Sequence, residues 1–431
     1  MTRHSTYLLW KKAIHTDPSY NVDIEKGIDS ILKLSVVRGE WALDYSLPFV
    51  ELLHDQMQAG PRAKKHIIHF RSKKEFHACL EGLKRYKTSN STLFSVRSLK
   101  LIHAISCPLL SESKLLKHPS IAGFEEDYQV TVHEVRKSKK KLAERSSLAT
   151  GSQIIPWGVS HIRAPRTWPR TQGKDVHIGV IDTGIDYSHP DLRQSISRGI
   201  NLVHRQALPH DDNGHGTHIA GTIAASSTHS GILGVAPKAR IHPVKAFDHN
   251  GSAYVSDIIA GIDWCVQQNL DIINMSFGMK TYSKSLEQAV LNAYNSGKII
   301  VASSGNDGKK ATIDYPAQLS HVISVGAITS NNKVASFSNR SNLIDIYAPG
   351  EKIYSAWLGG KYNELSGTSM ATAHVSGVIA LILAIKPDLK LMAVKKLLKR
   401  SSLTGNKSRN TTVEIRRLHA RRAVLAVIKK T

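Results

Sequence analysis

Five short apolar runs do most to limit what this chain can fold into: DVHIGVID, ARIHPVKAF, LDIINMSF, KIIVASSG and HVISVGAI, all between residues 175 and 328. Each is near-continuous rather than alternating. That pattern belongs to parallel strands covered on both faces, because a strand with one wet face alternates apolar and polar residues. Parallel strands need crossovers, and helical stretches stand between the runs: THIAGTIAAS, VSDIIAGIDWCVQQN and SLEQAVLNAYNSG. From Gln153 onward the chain therefore reads as an α/β, doubly wound parallel-sheet domain. Such a layout gathers its site at the C-terminal ends of the strands.

A smaller unit precedes it. HIIHF reads as a strand, KKEFHACLEGLKRY as an amphipathic helix and LFSVRSLKLIHAI as a strand or strand pair. SESKLLKHPSI follows as a second helix and GFEEDYQVTVHE as a closing strand. The β-α-β-β-α-β order predicts a small α+β, ferredoxin-like unit over 64–134. Residues 135–152, VRKSKKKLAERSSLATGS, are basic and poor in apolar side chains, which predicts an exposed linker open to proteolysis. Residues 1–63 carry helical patterns but no readable motif, and they stand as an N-terminal extension. The large domain takes 153–431.

The formal net charge of +24 lies mostly in the flanks, with fourteen lysines and arginines against two acids in residues 386–431. Without zinc-finger spacing, a P-loop or an aromatic-interleaved basic strand, this reads as a solvated surface, and no nucleic-acid partner is expected. Cys79, Cys107 and Cys265 are too few and too scattered for a disulfide framework. No apolar run reaches the roughly 20 residues of a membrane span, and the opening residues show no signal-peptide h-region. A cytoplasmic monomer is the expectation, with export by an unrecognised route left open.

Three small-residue clusters follow or open the elements of the large domain. Asp182 ends the strand DVHIGVID, His215 sits between glycines in DDNGHGTHIAGTIA, and Ser369 opens the apolar helix of LSGTSMATAHVSG. Taken singly, the first is a strand-end cap, the second a turn residue or metal ligand and the third a helix cap. Together they give the order Asp, His, Ser, one of the chain orders in which a nucleophile, its base and the group that orients the base recur. Ala371 stands where a nucleophile elbow requires glycine, which argues against an α/β-hydrolase.

Eight stretches, in this order, resemble the subtilisin-like serine proteases: DTGIDYSHPDL, NGHGTHIAGTIA, GILGVAP, INMSFG, SSGN, ASFSN, APG and GTSMA. The resemblance covers the chain from about Gln153 nearly to its end, and it implies the subtilisin-like version of the fold. It assigns Asp182, His215 and Ser369 as a catalytic triad and Asn306 as the oxyanion-hole amide. Gly251, Ser252 and Ala253, with Ser276, Phe277 and Gly278, match the two segments that flank a bound peptide. Ala253 replaces a family glycine and Ala373 a usual proline. The implied activity is endopeptidase hydrolysis of proteins and peptides through an acyl-enzyme.

Further implications concern specificity, metal and processing. Asp314, just before Tyr-Pro-Ala, takes the position at the base of the S1 pocket. There it would favour Lys or Arg at P1, with Asp307 adding to it; the alternative is a solvent-facing loop carboxylate. Gln153, Asp191 and the loop holding Thr228 match the family's structural Ca²⁺ site, although Thr228 replaces an asparagine. The 64–134 unit resembles the inhibitory propeptide of the I9 type, in LLKHPSIAGFEEDYQVTVHE above all. A self-processing zymogen inhibited by its own propeptide is implied, with the processing region expected among the basic residues of 135–152.

Overall fold

A computed structural model describes residues 46–57, 63–86, 95–110, 113–133, 136–137, 153–227, 230–308, 312–404 and 414–429. Among these, nine strands form one sheet. In spatial order they are Leu403–Thr404, Arg416–Arg417, Ile346–Pro349, Ile323–Ile328, Ile299–Ser303, Ile272–Met275, His177–Asp182, Arg240–Lys245 and Ile200–Asn201. All neighbours run parallel except the Leu403–Thr404 and Arg416–Arg417 pair. The five apolar runs are five adjacent strands, the fourth to the eighth in this order.

Helices cover both faces, as the crossovers demand. The Thr368–Leu383 helix is buried at every position and packs on the strands from Ile272 to Pro349 and on the His215–Ala224 helix. It has no wet face, which fits its run VIALILAI and its place between the sheet and the C-terminal helix Ala420–Ile428, on which Leu391–Ser401 packs in turn. Those two helices carry the basic excess on their outer sides. Arg421, Arg422 and Lys429 are exposed, while Ala423, Val424 and Val427 are buried.

The smaller unit has the expected topology. Strands Lys64–Phe70, Arg97–Leu99, Ala104–Leu109 and Ile121–Glu126 form an antiparallel sheet in which Lys64–Phe70 lies between Ala104–Leu109 and Ile121–Glu126. The second helix is short, Ser113–Leu116. Two boundaries differ from the sequence expectation. The Ser46–Gln56 helix is part of this unit, because Phe49, Val50, Leu53 and Met57 share an apolar cluster with Ile68, Phe76 and Leu83. The expected division at 63/64 thus cuts through a packed core. The closing strand also splits: Ile121–Glu126 completes the sheet, and Gln129–Thr131 leaves it to pair with Ser252–Tyr254 of the large domain. At the break, Asp127 accepts from Ser106 Oγ at 2.7 Å and from Ser256 N at 2.9 Å, which bends the chain from one sheet to the other.

Candidate active site

Sheet and helices converge where the strands end. Asp182 is the last residue of its strand and His215 the first of its helix. Asp182 Oδ1 accepts from His215 Nδ1 at 2.7 Å and from Thr183 N at 2.8 Å. Both partners are about 1% exposed. Gly214 precedes the helix at φ 103°, and a Cβ there would lie 2.4 Å from the Trp357 ring, so only glycine lets the loop pass under that indole. Asp211 ties the loop down, accepting from Gly214 N, Thr217 N, Thr217 Oγ1 and Thr183 Oγ1.

The charge on His215 is set by competition. Burial disfavours the imidazolium, but the Asp182 carboxylate and its hydrogen bond outweigh burial, and the imidazole is held above its ordinary range. His218, one turn on, goes the other way. Burial pushes it down to about 3, and its Nε2–H donates to Ile353 O at 2.9 Å, so it is a neutral structural ring. Each ring keeps one nitrogen without a hydrogen-bond partner among the described residues, Nε2 in His215 and Nδ1 in His218, but only His215 has a carboxylate that stabilises its protonated form.

Ser369 is the second residue of the Thr368–Leu383 helix, placed where the helix dipole favours developing negative charge. Its hydroxyl donates to Ser276 O at 2.9 Å, so it is turned to the Ser276–Gly278 segment rather than to the imidazole. Asn306 follows the end of the Ile299–Ser303 strand. Its Oδ1 accepts from Thr368 N at 2.9 Å and Thr368 Oγ1 at 2.8 Å, which turns the amide NH₂ the other way. Thr368 was part of the GTSMA stretch, but sequence reasoning assigned it no role.

The six expected peptide-binding residues are brought together, and a segment of the chain already lies on them. Ser252 pairs with Thr131 and Ala253 with Val130. Val132 N donates to Gly251 O at 2.8 Å, and Val132 bridges Phe277. Gly278 faces His133 so closely that a Cβ would sit 2.4 Å from the ring.

Asp314 is buried at 2% exposure, which excludes the solvent-facing alternative. Its Oδ2 accepts from His133 Nε2 at 2.8 Å and its Oδ1 from Lys280 Nζ at 2.7 Å. Burial would raise its pKa, but the His133 and Lys280 contacts prevail and hold the carboxyl below the ordinary range. Lys280 also pairs with Asp307. Sequence reasoning missed both Lys280 and His133. Lys280 follows the Phe277-Gly278 segment by two residues, a position that could have flagged it; His133 reads only as the end of a strand.

Gln153 and Asp191 come to one neighbourhood, since Gln153–Ile154 pairs with Gly231–Ile232 and Asp191 Oδ2 accepts from Ile232 N. Tyr362 OH donates to the same oxygen at 2.7 Å, while Asp191 Oδ1 is buried without a partner among the described residues. Thr228 lies outside the described residues. Among those described, no three His, Cys, Asp or Glu side chains converge, so a cation here would depend on amide and carbonyl oxygens.

Comparison with known proteins bears on the whole site. Residues 173–417 match the model of the subtilase family. The chain is 39% identical to subtilisin E of Bacillus subtilis over 352 residues, covering 80% of this chain and 87% of that protein. It is 43% identical to a thermostable alkaline protease of Halalkalibacterium halodurans over 265 residues, 60% of this chain and 72% of that protein. No helix among the described residues is long and apolar enough to cross a membrane. The cytoplasmic placement expected from the missing h-region does not hold, because these relatives are secreted subtilisins and point to a secreted protein. An h-region is a weak pattern at the residue level, and its apparent lack does not outweigh relatedness across most of the chain. On fold, matched span and identity together, the chain belongs to the subtilase family and is a subtilisin-like serine endopeptidase that acts on proteins.

Proposed function

We propose that this chain is made as a self-processing zymogen and works through Asp182, His215 and Ser369. In this reading His215 Nε2 takes the Ser369 proton and later gives it to the leaving amine, while Asp182 holds the ring in the tautomer with Nε2 open. Asn306 and the Ser369 backbone N–H donate to the tetrahedral oxyanion. Gly251 to Ala253 and Ser276 to Gly278 hold the substrate backbone as an added strand. Attack requires one prior movement, a turn of Ser369 about χ1 from Ser276 O to the imidazole. The observation that carries the reading is the buried Asp182–His215 pair, with the His215 helix packed against the one whose second residue is Ser369.

Residues 46–133 act as the inhibitory prosegment, expected first as 64–134, and their tail blocks the cleft. The remaining layout is a linker to residue 152 and a monomeric catalytic domain from 153. Asp314 selects a P1 side chain that donates a hydrogen bond. Lys280 already sits on this carboxylate, so the preference for Lys or Arg narrows to groups that do not bring a second full ammonium beside it. Gln153 and Asp191, with the loop of Thr228, would hold a structural Ca²⁺; what supports this is the orphaned, buried Asp191 Oδ1. The ion would supply positive charge and rigidity there, not chemistry.

The test is Ser369→Ala. The native chain is expected to label with a fluorophosphonate probe and, once processed, to digest casein, while the variant does neither. Equal casein digestion by both would remove the assignment.

A further inference from the structure

Two recesses flank the Ala420–Ile428 helix, and no residue of the proposed catalytic site lines either of them. The first holds Arg163, Arg166, Arg170, His419 and Arg421. Ala420 N donates to Ile162 O at 2.8 Å, which fastens the arginine-bearing loop to the start of the helix. Arg163 stands at φ 64° just beyond the Trp157–His161 helix, a left-handed position where glycine is the usual residue. Burial and the nearby guanidiniums of Arg422, Arg163 and Arg421 hold His419 below its ordinary range, so at neutral pH the charge here is that of the arginines.

The second recess lies between this helix and Leu391–Ser401. Its cations are Lys386, Lys396, Arg400, Arg422 and Lys429, and its apolar floor comes from Leu389, Leu397, Leu425 and Ala426. Among the described residues no carboxylate lines either recess, and none of their lysines and arginines forms an ion pair. Along the helix, Arg421, Leu425 and Ile428 fall in one row and Arg422, Ala426 and Lys429 in the next. Both rows turn away from the buried Ala423, Val424 and Val427, and Ile428 is exposed among the cations.

Like charges crowded without carboxylates repel one another in the folded chain, and a counter-charge from outside relieves that cost. The apolar rows say what kind. A soluble polyanion offers nothing to a leucine floor or to Ile428. An anionic bilayer meets both demands, with phosphates that match the guanidinium fork and an acyl boundary just beneath them. Long basic side chains lay their stems on apolar surface while their heads stay with the phosphates.

We propose that this face docks the protein on an anionic lipid bilayer. Arg163, Arg166, Arg170 and Arg421 take headgroup phosphates, and the row of Leu425 and Ile428 rests at the acyl boundary. The helix lies along the surface, a contact that needs no spanning segment. The residues of the proposed cleft take no part in it.

The experiment is co-sedimentation of the full-length Ser369→Ala chain with vesicles of phosphatidylcholine, alone or mixed with phosphatidylglycerol. The chain should bind the mixed vesicles and not the neutral ones, and added salt should weaken binding. Replacing Arg163, Arg166, Arg170 and Arg421 by glutamine should lower the partition coefficient roughly a hundredfold. Ile428→Ser should lower it about fivefold, and neither change should move the thermal unfolding transition. Inorganic polyphosphate and duplex DNA, at equal phosphate, should not displace the chain from the mixed vesicles. Equal binding to both kinds of vesicle overturns the proposal. So does a glutamine variant that binds like its parent, which would assign the contact to another basic segment. Displacement by either polymer, or binding indifferent to Ile428→Ser, makes the partner a soluble polyanion and overturns it too. If the glutamine variant does not fold, hydrogen exchange of the parent decides: vesicles should slow exchange across 163–170 and 420–428, and protection confined to other segments sinks the proposal.

Discussion

The large domain and the smaller unit, proposed here as its prosegment, bury their apolar residues on different terms. In the large domain the Thr368–Leu383 helix and the five apolar strands are covered by that domain's own elements. In the prosegment, neighbours on one strand serve two cores. Ile68 lies with Phe49, Phe76 and Ile105, while Ile67, one residue earlier, lies with Leu99, Ala104 and the catalytic domain. A strand's period of two makes this division automatic. The receiving surface is the helix pair Val255–Gln267 and Lys284–Asn295, which pack against Arg97–Leu99 and the turn after it. Carboxylates complete the contact at the positive ends of these helices: Glu125 accepts from Ser285 N and Oγ, and Asp127 from Ser256 N. One domain is self-sufficient, and the other is half-covered until it docks.

Substitutions can break or sharpen this contrast. The largest effect is expected from Asp182→Asn, which touches only the self-sufficient domain: turnover of a small peptide by the processed enzyme should fall roughly 10⁴-fold, with docking unchanged. The pH profile carries a sign. His215 must be neutral to act as base, and Asp182 holds its pKa above 6.5. Activity of the native enzyme should therefore fall with acid at a pH above the ordinary imidazole range. Without that carboxylate, burial prevails and the limb moves to lower pH; a limb that stays in place would show that Asp182 does not set the base.

Next come Ile67→Ala and Ile68→Ala, each costing about 2–5 kcal/mol but in different currencies. The first should weaken prosegment retention after cleavage, read by size-exclusion chromatography. The second should lower the prosegment's own unfolding transition. If both do the same, the two-core description fails. The smallest effect is expected from Glu125→Gln with Asp127→Asn. Losing charge-assisted contacts of about 1.5–3 kcal/mol should speed prosegment release about ten- to a hundredfold, with no change in peptide turnover by the released enzyme.

Much of this molecule was legible in sequence, for identifiable reasons. Parallel strands announce themselves as apolar runs because both faces are covered. The residues of the proposed triad could be picked out because Asp182 ends one such run while His215 and Ser369 stand at helix starts among small residues, although Asp182 and His215 are 33 residues apart. What stayed hidden depends on long-range partners. His133 and Asp314 are 181 residues apart, and nothing local marks a strand-end histidine as the occupant of a slot. Thr368 was overlooked because its partner is a side chain 62 residues away. The Ser46–Gln56 helix did carry a signal, with Phe49, Val50, Leu53 and Met57 on one side, but a short amphipathic helix does not say which core it joins.

Gln153 already occupies its place beside Gly231, with its amide on Ser227 O, while His133 still fills the cleft. The nineteen residues from 134 to 152 have a contour length of roughly 60 Å, enough slack to let both attachments coexist. In the proposed zymogen, cutting the chain therefore releases no spring. Gln153 has no journey to make, and the loop around Asp191 does not wait for the cut to assemble. Maturation becomes a matter of how long a severed guest lingers.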